Sequence, residues 1–242
     1  MSLVQDVLSC GCHHHFTGEI YSGCSFMGVK MDAYFKSKFF IQSVFIFMGM
    51  PLLIWAMGSL PARSFLKELL SVVTILAFFQ MMGQFYWSRA NRYGAKDLKM
   101  SRMTSLHKII GYTFVTVLLL HPVFLVIPRF LESGVAPVDA LITILTTFNQ
   151  GVVLGIIAWC LILIIGITSL TRKKLPMKYK TWRTFHGILA IVFISIAAWH
   201  VIDLGRHSSF AMSTLISILA AGGVLLLLKA YTSKTFRKTS EG

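Results

Sequence analysis

The chain has 242 residues, of which 55% are hydrophobic and only 13% charged, with a mean hydropathy of +0.71. That leaves too little polar surface to cover a soluble globule of this size, so the composition specifies a membrane protein and argues against a soluble enzyme or binding domain. A formal net charge of +14 would suit nucleic acid, but the 23 basic residues fall in short blocks between apolar runs with no aromatic and basic recognition module, so no nucleic-acid partner is expected.

The first 38 residues are a polar extension bearing Cys10, Cys12, His13, His14, His15 and Cys24. Soft thiolates beside imidazoles suit zinc, copper or an iron–sulfur cluster, yet the C-x-C-H-H-H run lacks the two-residue gaps of common zinc sites. Metal binding, donor docking and no specific role all remain open for this cluster. The first apolar run begins only near Phe39, so no cleavable signal peptide is expected and the first span serves as an anchor.

Taking about 20 mostly apolar residues as one span, six helices are expected near 39–58, 66–87, 105–127, 142–170, 182–203 and 210–231. The expected fold is all-α, a six-helix transmembrane bundle over 39–231 followed by a short tail over 232–242. Near one end of the second span, Gln80, Gln84 and Tyr86 are polar groups suited either to interhelical hydrogen bonds or to a quinone. The fourth run exceeds what a bilayer needs, which predicts either tilt or a non-spanning start near Thr146, where Asn149, Gln150 and Gly151 interrupt the apolar sequence. Cys160, inside that run, is expected in the core.

Basic residues alternate between loops. Arg89, Arg92, Lys96, Lys99, Arg102 and Lys108 join spans two and three, and Arg172, Lys173, Lys174, Lys178, Lys180 and Arg183 join spans four and five. The positive-inside rule makes those loops cytoplasmic and leaves both termini on the same side, in an integral, multi-pass membrane protein.

Spans three and five each carry two histidines 14 positions apart, His107 with His121 and His186 with His200. At ~100° and ~1.5 Å per residue, each pair lies within ~40° of one helix face and roughly 21 Å apart along the axis. Ionisable residues inside a membrane are costly, and neutral imidazole is a metal ligand, so the four point to stacked cofactors. A bis-histidine haem takes one imidazole from each of two helices. Pairing by depth gives His107 with His186 and His121 with His200, hence two b-type haems, or one if a single pair is occupied. Phe114 and Phe193 sit midway between the histidines, where they either pack between haems or fill the core. Candidate partners for haem propionates are Arg102, Lys108 or Arg183 at the inner end and Arg129, Arg206 or His207 at the outer. Pro122 removes a backbone donor beside His121 and so predicts a freed carbonyl or a bend. Gly111 and Gly187 would admit either a flat macrocycle or a neighbouring helix.

The segments 106–124 (LHKIIGYTFVTVLLLHPVF) and 182–202 (WRTFHGILAIVFISIAAWHVI) resemble the ferric reductase-like transmembrane domain, which includes ferric-chelate reductases, NADPH oxidases and the haem-binding subunit of a bacterial methionine sulfoxide reductase system. The resemblance extends over about 40–232 and is carried mainly by H-x13-H occurring twice. It implies that His107, His121, His186 and His200 ligate haem iron and that the protein moves electrons across a membrane, in bacteria the inner membrane. After Tyr231 only 11 residues follow, and no G-x-G-x-x-G fingerprint opens a βαβ unit. The chain is therefore expected not to oxidise NAD(P)H alone: FAD or FMN would act through a separate flavoprotein, or an iron–sulfur subunit or quinone would donate, with an external acceptor receiving the electrons. The alternative of a different class is a cofactor-free transporter or structural membrane protein with a histidine proton path.

Overall fold

The computed structural model describes residues 38–58, 63–88, 100–147 and 149–232, with the side chains of 100–102 excepted. The N-terminal Cys/His cluster (Cys10, Cys12, His13, His14, His15, Cys24), the tail and most of the basic loop before residue 100 lie outside these residues. Among the described residues the elements are all helical: α1 Lys38–Ala56, α2 Phe65–Trp87, α3 Met100–Leu119, α4 His121–Ser133, α5 Pro137–Thr146, α6 Gln150–Leu170, α7 Tyr179–Leu204 and α8 Phe210–Thr232. Five of them are long and apolar enough to cross a membrane, and six spans result if α3 and α4 count as one.

The departures from straight helices have local causes. In α1 a π-helical turn, Phe45–Gly49, is closed by Met50 N–H on the Phe45 carbonyl, immediately before Pro51, which has no N–H to continue the α pattern. Pro122 does the same to the third span. The helix breaks at Leu120, and α3 and α4 meet at 43°. The carbonyl of Leu119 then accepts from the Trp159 indole of α6 at 3.1 Å. The long fourth run divides where its sequence loses apolar character. Short α5 ends at Thr146 and Asn149 caps α6, its side chain accepting from Val152 N–H at 2.8 Å.

Packing closes α2, α3, α6, α7 and α8 into a ring in the order α2–α3–α6–α7–α8–α2, with α1 outside against α2 and α8. Lipid tails are as apolar as leucine, so close fit and hydrogen bonds, not hydrophobicity, hold such helices together. The fit is made with small residues. Gly222 and Gly223 of α8 receive Tyr86 and Phe85 of α2, and the Tyr86 hydroxyl donates to the Leu219 carbonyl at 2.8 Å. Gly187 of α7 receives the Tyr231 hydroxyl of α8. The continuous core runs through Phe79, Met82, Ile162, Phe193, Ile194 and Ile216. Cys160, expected in that core, is instead exposed on α6, because the buried stripe of this helix runs through Ala158, Ile162 and Ile165.

The two ends of the bundle differ. At one, the α6–α7 connection carries Arg172, Lys173, Lys174 and Lys178, all exposed. At the other, Lys67 near the start of α2 pairs with Glu132 near the end of α4 at 2.5 Å, and Ser64 also donates to Glu132.

Candidate functional site

α3 and α7 are not neighbours in the ring, yet both aim histidines at its interior. His107 on α3 and His186 on α7 meet across the bundle at the basic end, with ring centroids 6.5 Å apart and planes at 76°. At the other end His121, the first residue of α4, lies against Thr74 of α2, and His200 of α7 lies against Gly151 of α6. Of the two pairs expected from the spacing, the inner one, His107 with His186, is brought into ring contact. The bend at Leu120 lies between the two histidines of the third span, so they sit on separate helical segments and the straight-helix registry does not apply across it.

Three of the four imidazoles have a defined tautomer. His200 Nδ1 lies 2.8 Å from the Gly151 carbonyl, which can only accept, so Nδ1 carries the proton. His186 Nδ1 lies 3.4 Å from Ser169 Oγ, whose own hydrogen goes to the Ile165 carbonyl at 2.7 Å. Its hydroxyl oxygen is thereby left to accept. Thr74 repeats this arrangement with His121 Nδ1 at 3.5 Å, its hydroxyl donating to the Leu70 carbonyl at 2.8 Å. In each case Nε2 keeps the lone pair, the arrangement by which an outer partner prepares histidine to bind a metal.

The spacing of the inner pair suits two nitrogen donors on one ion. Two imidazoles bound through Nε2 to one metal ion would have centroids about 6.2 Å apart, from two bonds of ~2.0 Å and two ring half-widths of ~1.1 Å; His107 and His186 are at 6.5 Å. Gly111, one turn beyond His107, has open space where a Cβ would be. Gly187 does not, because Tyr231 occupies its side, so helix packing accounts for that glycine. Among the described residues no group of three or more His, Cys, Asp or Glu could hold a bare metal ion. Each histidine pair would supply two nitrogen donors.

Phe193 is 4% exposed and Phe114 packs partly buried against the same core. Arg183 is exposed one turn before His186, while Arg206 is partly buried in the turn after α7. There His207 Nε2 lies 3.4 Å from Glu68, and its ring is 6.3 Å from Trp55. Gln80 and Gln84 are buried on α2, and neither side-chain amide atom of Gln84 has a hydrogen-bond partner among the described residues.

The residues that orient the histidines escaped the reading of the sequence. Gly151 and Gly155 form a G-x-x-x-G stripe on α6, a pattern that admits close helix approach. Beside Gly155 a Cβ would come within 2.6 Å of the His200 ring. Ser169 and Thr74 carry no signal of their own, since serine and threonine occur throughout these spans.

Comparison with known proteins agrees with this architecture. Residues 73–197 match the family model of the ferric reductase like transmembrane component. An uncharacterised protein of Archaeoglobus fulgidus is 43% identical over 159 residues, 66% of this chain and 87% of that protein. No solved structure matches the chain. With more than half of its length matched, over a stretch that includes His107, His121 and His186, the chain belongs to the ferric reductase-like transmembrane component family.

Proposed function

We propose that this protein is a di-haem b-type cytochrome that passes electrons across a membrane, with His107 and His186 as ligands of one haem and His121 and His200 of the other. The observation that carries this reading is that Nδ1 of His186, His200 and His121 each faces an oxygen of the chain that can accept its hydrogen, an arrangement that leaves Nε2 on each for iron. The basic end faces the cytoplasm, by the positive-inside rule, and both termini lie on that side. Flavin chemistry, FAD or FMN, belongs to a separate donor, and an acceptor outside receives the electrons.

Haem supplies an iron that accepts and releases single electrons. The chain holds the imidazoles in one tautomer and one orientation through Ser169, Thr74 and the Gly151 carbonyl. It surrounds them with apolar side chains, Phe193 and Ile194 among them, which keep water out and favour the less charged state of whatever is bound. Arg183 and Arg206 would meet anionic propionates at the two ends.

The test is a dithionite-reduced minus oxidised spectrum of the purified protein with a pyridine haemochrome measurement of haem per chain. About two b-type haems support the reading. A single haem removes one histidine pair, and His121→Ala leaving haem content unchanged removes the outer one. A colourless protein after haem-replete expression overturns the proposal in favour of a cofactor-free transporter or structural role.

A further inference from the structure

At the basic end, three rings stand in line between the surface and the inner histidine pair. Tyr179, the first residue of α7, is 57% exposed. Its ring stacks on Trp182, centroids 6.1 Å apart and planes at 20°, and Trp182 stacks on His186 at 5.1 Å and 26°. The spacings of three and four place all of them along one helix face.

The stack is held from outside its own helix. The Arg172 guanidinium lies 4.3 Å from the Tyr179 centroid and 5.0 Å from that of Trp182, a cation–π contact with each ring. The Trp182 indole donates to the Thr168 carbonyl of α6 at 3.3 Å. Interfacial anchoring would explain a tyrosine or tryptophan at this depth. It would not explain unbroken ring contact from an exposed tyrosine to His186, nor a cation seated on both rings.

We infer that the Tyr179–Trp182 stack is the inlet through which an acidic, water-soluble flavoprotein delivers electrons to the group held at His186, an inference that rests on the cytochrome reading above. The exposed Lys173, Lys174 and Lys178 around Tyr179 supply the charge that attracts an acidic surface. The exposed edge of Tyr179 meets the planar ring system that a flavoprotein presents. The donor's reduced flavin would lose one electron and so be oxidised, and the group held at His186 would gain that electron and be reduced. The two aromatic rings carry it by tunnelling and are themselves neither oxidised nor reduced.

The experiment uses the full, haem-loaded chain in nanodiscs, with flavodoxin as the acidic donor. Two quantities are read: flavodoxin affinity by calorimetry, and the rate at which reduced flavodoxin reduces haem in anaerobic stopped flow. The paired substitution of Lys173→Glu and Lys174→Glu weakens binding about tenfold or more at low salt, and wild-type affinity falls as salt rises. Trp182→Leu leaves the affinity unchanged, Tyr179→Leu weakens it by no more than severalfold, and both slow reduction severalfold at saturating donor, while Trp182→Phe restores the rate. Dithionite reduces every variant to the wild-type spectrum. Wild-type rates in both leucine variants, or binding that ignores salt and lysine charge, overturn the inlet. A wild-type chain without haem overturns the cytochrome reading instead, and the two failures are read from different signals.

Discussion

His200 is seated against bare backbone: its Nδ1 lies 2.8 Å from the carbonyl of Gly151, and its ring occupies the place a side chain on Gly155 would need. Hydrogen bond and steric fit act on the same imidazole from the same helix, so its plane and its free nitrogen are fixed together. Gly155→Ala puts a methyl within 2.6 Å of the ring and forces it away from Gly151. The expected cost is about 1–3 kcal/mol of overpacking. In the haem-loaded protein the substitution halves haem content, and the spectral component lost is the one that His121→Ala also removes.

Ser169 acts on the other end of α7 through a hydrogen bond alone. Ser169→Ala takes away the acceptor of His186 Nδ1–H without adding bulk, so the ring keeps its place but loses its orienting partner. Loss of such an outer partner typically weakens metal affinity ~10–100-fold. Titration of haem into the apoprotein measures this, and Ser169→Thr, which keeps the hydroxyl, restores affinity.

The spans were legible in the sequence because apolar length is local chemistry, and the four histidines stood out there as ionisable residues in hydrocarbon. The interruption at Asn149 and the bend beside Pro122 were legible for the same reason: a capping side chain and a missing N–H act within one turn. Which helix fills the space beside a given glycine was not. Gly111 and Gly187 look alike as letters, yet one borders open space and the other holds Tyr231, a difference made by residues 44 positions apart in the chain (231 minus 187). Cys160 was misplaced because α6 is apolar on every side, so composition gives no sign of which stripe faces protein and which faces lipid.

The two glycines consequently respond differently to substitution. Gly187→Ala collides with the Tyr231 hydroxyl and destabilises the α7–α8 contact by roughly 1–3 kcal/mol; Tyr231→Leu in the same chain relieves most of it, as a double-mutant cycle in thermal unfolding reads directly. Gly111→Ala has room and gains about 1 kcal/mol of helix propensity. Gly111→Leu fills the open space beside His107, and the expected result is a folded protein that has lost its inner haem while the outer spectral component persists.

Gln84 is 6% exposed with both amide atoms unbonded among the described residues, and its spacing from Trp87 puts the two on one side of α2. Trp87 packs against Met103 and Leu106 of α3, so the amide lies toward the helix that bears His107. An unsatisfied buried polar group costs ~1–3 kcal/mol. Gln84→Leu therefore raises the melting temperature of the apoprotein. If the amide serves the inner haem, the same substitution shifts that haem's midpoint potential and leaves the outer one where it was, as a redox titration followed in the visible band resolves.

At the outer end His207 provides a pH-dependent contribution. Burial holds its pKa below the ordinary value of 6.5; Glu68 opposes this, while Arg206 and Arg63 add to it. Trp55 faces the ring from α1. The folded protein thus keeps His207 neutral at pH values where the unfolded chain already binds a proton. Stability from this group is fully present above 6.5 and declines as pH falls toward the lowered folded value; below that both states are protonated and no further loss occurs. Glu68→Gln removes the one opposing charge, moves the folded pKa down further and extends the acidic range over which stability is lost. Thermal unfolding between pH 7.5 and 4.5 measures the slope, and His207→Gln flattens that part of it; an unchanged slope in His207→Gln would assign the acid sensitivity to other groups.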